Sequence, residues 1–423
     1  MSIRAGLASS DITPPAGIYL TGFGLRTQPS TGVKLPLKAK SLVLEDGKEK
    51  VAIVTADLIG LGERTFKDVK RFVKERTGIE NLVVLCSHTH SGPETSNLRG
   101  LGKIDENYIK TLVETLAKGV SLAARDMEEV RIGAGRGEAR ALSFNRNSRT
   151  FSPVDEELGI LKIKGKKKLI HFINYTCHAV VLGPQNLLIH SDYPGEVQRY
   201  GEESLGGTVM FAQGCCGNID PISYYYKWGI GDFHESERTG KIIVLETEKV
   251  SSEMKAFSEK NLKFKSKEVK LPLRWPTLGE AKKICEEAKD FANKYKGFGE
   301  NAIMWSRKIL EKVEKKDTPS YLISEIQVLS LCSAALVFLP GEVYVQIGME
   351  IKKKSPFPYT FVCGYANNVL GYIASSDDFS MKWLQNKSPV WYWGSYFFDK
   401  SVGKVVVEES LNLLKYKEVL WKR

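Results

Sequence analysis

The sequence is poor in the features that mark membrane, secreted or nucleic-acid-bound proteins. No run approaches the roughly 18 apolar residues of a membrane span, so no transmembrane helix is expected. The opening, MSIRAGLASSDITPP, lacks an apolar stretch of signal-peptide length, and the cytoplasm is the expected compartment. Cysteine is scarce and irregular. The seven, at 86, 177, 215, 216, 285, 332 and 363, are odd in number and spread over a long chain, which excludes a disulfide framework. Cys215 and Cys216 are adjacent, unlike a CxxC redox pair or a zinc ribbon, and read as small buried hydrophobes. The net charge of +11 raises nucleic acid or anionic membrane as partners. The lysines are scattered, however, and their clusters, Lys164-Gly-Lys-Lys-Lys168 and Lys352–Lys354, are short. With no nucleic-acid-binding signature beside them, the charge reads as solvated surface.

What is present is an ordinary globular composition: 423 residues, 42% hydrophobic and 26% charged, enough to bury a large core. Two apolar runs, Ser41–Leu44 and Val51–Ala56, flank Glu45-Asp-Gly-Lys and predict a hairpin. Helical spacing over Glu63–Thr77 ends at Gly78, as at a C-cap. Asn81–Cys86 is a short continuous apolar run, the pattern of a strand buried on both faces. A second helix is expected at about Glu106–Ala124, a hairpin from Leu158–Ile163 and Leu169–Tyr175 around the KGKKK turn, and a strand at Thr208–Ala212. This alternation predicts an α/β fold, a mixed β-sheet with flanking helices. Residues 277–316 turn polar and helical, as a cap or insertion within one domain spanning 1–423. Strands return at Ser324–Leu339, and the C-terminal tail, Glu408–Arg423, reads as a charged helix.

Chemistry concentrates around few residues. Of six histidines, two lie in Ser87-His-Thr-His-Ser-Gly-Pro93, directly after the NLVVLC strand, where ligand sites of open α/β sheets form. In an extended segment, His88 and His90 would point to the same side. His178, in Asn174-Tyr-Thr-Cys-His-Ala-Val-Val, follows another strand-like run. His190 sits in a polar turn that reads as surface. The loop Phe211-Ala-Gln-Gly-Cys-Cys-Gly-Asn-Ile-Asp-Pro221 is glycine-rich but lacks a P-loop ending, so it does not predict a nucleotide site. Leu339-Pro-Gly-Glu-Val343 sets a carboxylate in a turn, and Gly364-Tyr-Ala-Asn-Asn-Val-Leu-Gly-Tyr-Ile373 follows.

Together, in order, these segments resemble the neutral ceramidase family, zinc amidases that cleave N-acylsphingosine. The opening Ala5–Pro15 with Thr21-Gly-Phe-Gly24 resembles the family's first segment and its Gly-Tyr turn, so Gly22 falls at the substrate. His88-Thr-His-Ser-Gly-Pro93 is similar to the zinc-binding motif. Asn145-Arg146 resembles the pair near the substrate, and His178 with Ser191-Asp192 the second zinc histidine. Pro340-Gly-Glu342 and Gly371-Tyr372 resemble the segments giving the Glu and Tyr ligands. The resemblance implies a ceramidase-like catalytic domain without the accessory C-terminal β-sandwich. It implies zinc on His88, His178, Glu342 and Tyr372, with His90 to move a proton or stabilise an oxyanion and Arg146 to hold a substrate oxygen. The chain departs at Gly217-Asn-Ile-Asp-Pro-Ile222, where Asp220 stands for the family serine and Asn218 for its aspartate. A carboxylate there would disfavour apolar or anionic groups and suit an amine or hydroxyls, directly or as a general base. The expected function is therefore a zinc hydrolase cleaving an amide or ester of a small polar substrate. The alternatives are a true ceramidase, which needs an apolar groove at the mouth (Val390–Phe398 offers aromatics for one), and a non-catalytic metal or polyol binder.

Overall fold

Strand and helix alternate along the chain as the hydrophobic periodicity predicts. The computed structural model describes residues 2–23, 26–96, 102–148, 150–227, 229–257, 261–294, 298–380 and 397–415. Strands β1 (Arg4–Asp11), β2 (Gly32–Val33), β3 (Lys38–Glu45) and β4 (Lys50–Ala56) lead into α1 (Glu63–Thr77) and β5 (Asn81–Cys86). The β3–β4 hairpin turns at Asp46 N–H to Glu49 O, 3.2 Å, and α1 closes on Gly78. Next come α2 (Glu106–Arg125), β6 (Met127–Glu138), β7 (Ser143–Asn145), β8 (Glu157–Gly165), β9 (Leu169–Tyr175) and β10 (Leu188–Ile189). They are followed by α3 (Asp192–Ser204), β11 (Thr208–Gln213), β12 (Ile219–Pro221), α4 (Phe233–Glu253) and β13 (Leu262–Pro272). The expected helical block is α5 (Leu278–Lys294) and α6 (Phe298–Glu314), with a small core of its own around Ile284, Ala288 and Trp305. The chain continues with β14 (Tyr321–Leu331), β15 (Ala334–Phe338), β16 (Glu342–Val343), α7 (Val345–Lys354), β17 (Tyr359–Cys363) and β18 (Tyr372–Ile373). The helix expected over Glu408–Arg423 begins earlier, as α8 (Val402–Leu414), and residues 416–423 lie outside the described ones.

Eight strands form one mixed sheet in the order β11-β9-β8-β6-β1-β3-β4-β5, and four form a second, β13-β14-β15-β17. Strand periodicity sorts the side chains between two layers. Val43, Val54 and Val84 pack under Val69 of α1 and Leu116 of α2. Their neighbours Leu42, Ile53 and Leu85 face the second sheet, meeting Leu329, Phe338 and Phe361. Beyond that sheet, Val328 and Val362 pack on Ile347 of α7 and Val406 of α8. The stack is thus helices, sheet, sheet, helices. Among the described residues no helix is long and apolar enough to cross a membrane. The seven cysteines are all free, and six are buried.

One buried polar side chain has no service in this packing. His171 on β9 is 2% exposed, and neither ring nitrogen has a hydrogen-bond partner. Burial, with Lys162 adding, pushes its pKa from 6.5 down to about 4. The folded protein refuses a proton that the unfolded chain accepts. This contribution to stability is therefore full above pH 6.5 and is lost as pH falls toward about 4. His171→Leu should remove the loss. The stability of the variant relative to wild type should rise on acidification across that window by on the order of 3 kcal/mol. Parallel Tm-versus-pH curves for the two proteins would rule this out.

Candidate functional site

Four strands end at one place. β5 runs out into Ser87-His-Thr-His-Ser91, β9 into Thr176-Cys-His178, β11 into Gly214-Cys-Cys-Gly217, and β15 toward Glu342. β5 and β11 are opposite edges of the eight-stranded sheet. The segment leaving β17 joins them. Gly364 N–H donates to Gln213 O at 3.0 Å, Cys86 N–H to Tyr365 O at 3.3 Å, and Asn367 N–H to Val84 O at 2.7 Å. The candidate residues collect at this seam.

His88 adopts a left-handed backbone, φ 64°, rather than the extended one that simple alternation presumes. Such a conformation costs a non-glycine residue about 1–3 kcal/mol. It is held by His88 N–H to Leu58 O, 2.9 Å, and by Nδ1 to Ile59 O, 2.7 Å. Tyr365 stacks on the ring, centroids 4.0 Å apart. The His88 and His90 rings nonetheless converge, with Nε2 atoms 3.2 Å apart. His178 reaches the same point, its Nε2 3.1 Å from His88 Nε2 and its Nδ1 2.7 Å from Cys216 O. Since a carbonyl only accepts, Nδ1 of His88 and of His178 each carries the proton, and each Nε2 presents a lone pair. Glu342 Oε2 lies 3.4 Å from His88 Nε2 and 3.5 Å from His178 Nε2, and neither carboxylate oxygen has a hydrogen-bond partner. Lone pairs thus face one another in a buried space, an arrangement that a cation would satisfy. His88, His90 and His178 offer ligand atoms all within 4.8 Å of one another and could hold a metal ion.

The neighbours fit this picture. Burial lowers the pKa of His90 well below 6.5, reinforced by His88 and His178, and its Nδ1 has no partner. Gly22, at φ 91°, lies against that imidazole, and a Cβ there would stand 2.3 Å from His90 Cγ. Only glycine allows the approach. Gly217 is equally confined, since its Cβ would meet Glu342 O at 2.5 Å. Arg26 fastens the loops, Nη1 donating to His90 O at 2.6 Å and Thr21 O at 3.1 Å. Glu342 and Tyr372 are register partners in the parallel β16–β18 ribbon.

The β7–β12 ribbon sets Asp220 opposite Phe144. With a side-chain period of two, Phe144, Arg146 and Asp220 share one face, and Asn145 and Ile219 take the other. Arg146 donates from Nη1 to Asp220 Oδ1 at 2.9 Å and from Nη2 to Gly217 O at 2.7 Å and Tyr372 Oη at 2.8 Å. The Asp220 charge is therefore balanced by Arg146 rather than free. A cavity of about 410 Å³ is walled by Phe23, Val180 and Tyr224 and reaches Gly22, His90, Arg146, His178, Asp220 and Tyr372. Asn145 and Asn218, expected at the substrate, do not line it. Asn145 donates to Pro153 O at 3.1 Å and accepts from Asn147 N–H at 3.0 Å. Asn218 accepts from Val345 N–H at 2.9 Å and donates to Gln346 Oε1 at 3.0 Å. His190 is not on the surface but 1% exposed, accepting from Asp192 N–H at 2.8 Å. Of the aromatic stretch Val390–Phe398, residues 390–396 lie outside the described ones. Arg26, Tyr365 and the walls Phe23, Val180 and Tyr224 escaped sequence reading, because their partners come from distant loops and leave no local periodicity.

A family model described as neutral/alkaline non-lysosomal ceramidase, N-terminal, matches residues 3–221. It takes in His88, His90, Arg146, His178 and Asp220, but stops short of Glu342 and Tyr372. Among solved structures the chain is similar to neutral ceramidase from Pseudomonas aeruginosa, with a TM-score of 0.78 and 17% identity over 98% of this chain and 74% of that one. It is also similar to a ceramidase complexed with C2, with a TM-score of 0.75 and 16% identity over 99% of this chain and 77% of that one. At these identities the likeness shows the fold.

The ion pair sets a test of the site's architecture. Arg146→Ala leaves the Asp220 carboxylate, 4% exposed, without its cation, and should cost about 2–4 kcal/mol of stability. Arg146→Ala/Asp220→Ala should recover part of that loss. Chemical denaturation of the two single variants and the double variant measures the coupling; strictly additive effects would mean the pair is not linked.

Proposed function

Since the chain belongs to the neutral/alkaline non-lysosomal ceramidase family, we propose that it is a zinc-dependent hydrolase that cleaves an amide or ester bond of a small polar substrate. The observation that carries this reading is the meeting of the His88 and His178 Nε2 lone pairs with the unpartnered carboxylate of Glu342. His88, His178, Glu342 and Tyr372 form the proposed zinc ligand set. Bound zinc supplies a Lewis acid that polarises a carbonyl and acidifies water.

The chain's own groups do the rest. His88 and His178 are oriented by their Nδ1–H bonds to Ile59 O and Cys216 O, so their free nitrogens stay aimed at the centre. His90 lines the cavity, and we assign its imidazole the proton transfer or the stabilisation of a developing oxyanion. Arg146 uses three of its five N–H donors on Asp220, Gly217 and Tyr372, leaving two to hold a substrate oxygen. Asp220 fixes that guanidinium and offers its second oxygen to a hydroxyl or amine. Asn145 and Asn218 act behind the site, holding the loops that carry Arg146 and Glu342. The 3.2 Å between His90 and His88 Nε2 favours a second ligand set in which His90 replaces Tyr372.

Purified protein should contain about one zinc per chain, and His88→Ala or His178→Ala should strip it, as read by elemental analysis. Comparing His90→Ala with Tyr372→Phe tells the two ligand sets apart, since only the variant of a true ligand loses metal. Turnover on N-acyl amines, N-acyl sugars and esters tests catalysis itself. Stoichiometric zinc retained in both His88→Ala and His178→Ala would sink the assignment, and zinc without turnover on any of the panel would leave a metal binder instead.

A further inference from the structure

The face of the β7–β12 ribbon that carries Arg146 and Asp220 also carries Phe144. Phe144 does not itself line the cavity. It packs on the wall formed by Phe23, Val180 and Tyr224, and continues outward to more rings. Its centroid lies 5.8 Å from Phe151 and 5.8 Å from Tyr225; Phe151 and Tyr225 are 5.0 Å apart, and Tyr225 and Tyr226 4.9 Å. Phe151, Tyr225 and Tyr226 are 42%, 44% and 92% exposed. An aromatic row running from a cavity wall into water is not a packing by-product, because each exposed ring forgoes burial. Phe151 is moreover held at φ 57°, a conformation a bulky residue adopts only when its surroundings impose it.

We propose that these rings form a subsite for the sugar ring of a carbohydrate-bearing substrate whose acyl bond lies at the His88–His178–Glu342 centre. The proposal rests on the hydrolase reading above and adds the substrate class to it. Two features separate a sugar from an alkyl chain. The rings meet edge to face, at 62–88°, so they present separate faces and edges rather than the continuous sheltered trough that a flexible chain needs. Aromatic faces are electron-rich and attract the weakly positive C–H groups on one side of a pyranose. At the inner end, Arg146 has two N–H donors to spare beside the Asp220 carboxylate, which takes the Arg146 bond on Oδ1. A donor and an acceptor side by side match a hydroxyl, which does both, and give nothing to a methylene. The phenol groups of Tyr225 and Tyr226 extend the same polarity along the row.

The test uses the full metal-loaded chain and three probes: N,N′-diacetylchitobiose, N-acetylethanolamine, which fills only the inner cavity, and N-octanoylethanolamine. Tyr226→Ala and Phe151→Ala remove exposed rings, and an unchanged thermal melt confirms the fold. Binding is read by calorimetry, independently of turnover. Each variant should weaken diacetylchitobiose about five- to tenfold, as a raised Kd and, where the sugar is hydrolysed, a raised KM with kcat nearly unchanged. N-acetylethanolamine should be unaffected. No sugar binding by wild type, equal sugar binding by the variants, or a loss confined to the octanoyl probe would each overturn the proposal. Sugar binding that depends on Tyr226, with no probe hydrolysed, would uphold the subsite while the hydrolase reading fails.

Discussion

The architecture depends on one unmet demand: the buried carboxylate of Glu342 faces two imidazole nitrogens and has no proton donor among them. Acceptors do not gather in a dry interior unless something cationic completes them. The surrounding structure is organised to hold that gathering in place. His88 tolerates a left-handed backbone, Tyr365 stacks over it, and Gly217 lets a loop run against the Glu342 backbone. The His88 backbone is locally unfavourable and Gly217 is restrictive, while the Tyr365 stack holds the ring; together they support the centre.

Around that centre the electrostatics are more nearly neutral than a count of side chains suggests. Asp220 looks like an added negative charge at the substrate, but Arg146 cancels it and is itself tied to Gly217 and Tyr372. The result is a polar but balanced floor beneath walls of Phe23, Val180 and Tyr224. Such a cavity selects by shape and hydrogen bonding more than by net charge.

Much of the fold was legible in the sequence. The Glu45-Asp-Gly-Lys hairpin, the Glu63–Thr77 helix and the Asn81–Cys86 strand are specified by neighbours a few residues apart, which periodicity and turn chemistry report directly. The site was legible only in part. His88 and His178 stood out as histidines at strand ends, whereas Tyr372 had no local signal and entered through family resemblance alone. The rest was lost for a common reason, that a motif names a residue without saying which way it faces. Asn145 turns from the cavity because it alternates with Arg146 on a ribbon, and Asp220 is neutralised by a partner 74 positions away. His190, in a polar turn, is buried because Asp192 and Glu196 fold back over it.

The seam between the sheet edges also dictates when this protein can be finished. Val84 exchanges hydrogen bonds with Asn367 across 283 positions, its N–H donating to Asn367 Oδ1 and its carbonyl accepting from Asn367 N–H, and the chain that leaves β17 ties β5 to β11. Contacts so distant in sequence form late, after the loops between them have been closed. During synthesis the apolar edge strand Asn81–Cys86 must therefore wait, unpaired on one side, until residues near 367 have left the ribosome. The interval exposes a hydrophobic edge of the kind that chaperones shield. The centre, which joins His88 to Glu342 and Tyr372, thus cannot assemble before that distant segment has emerged.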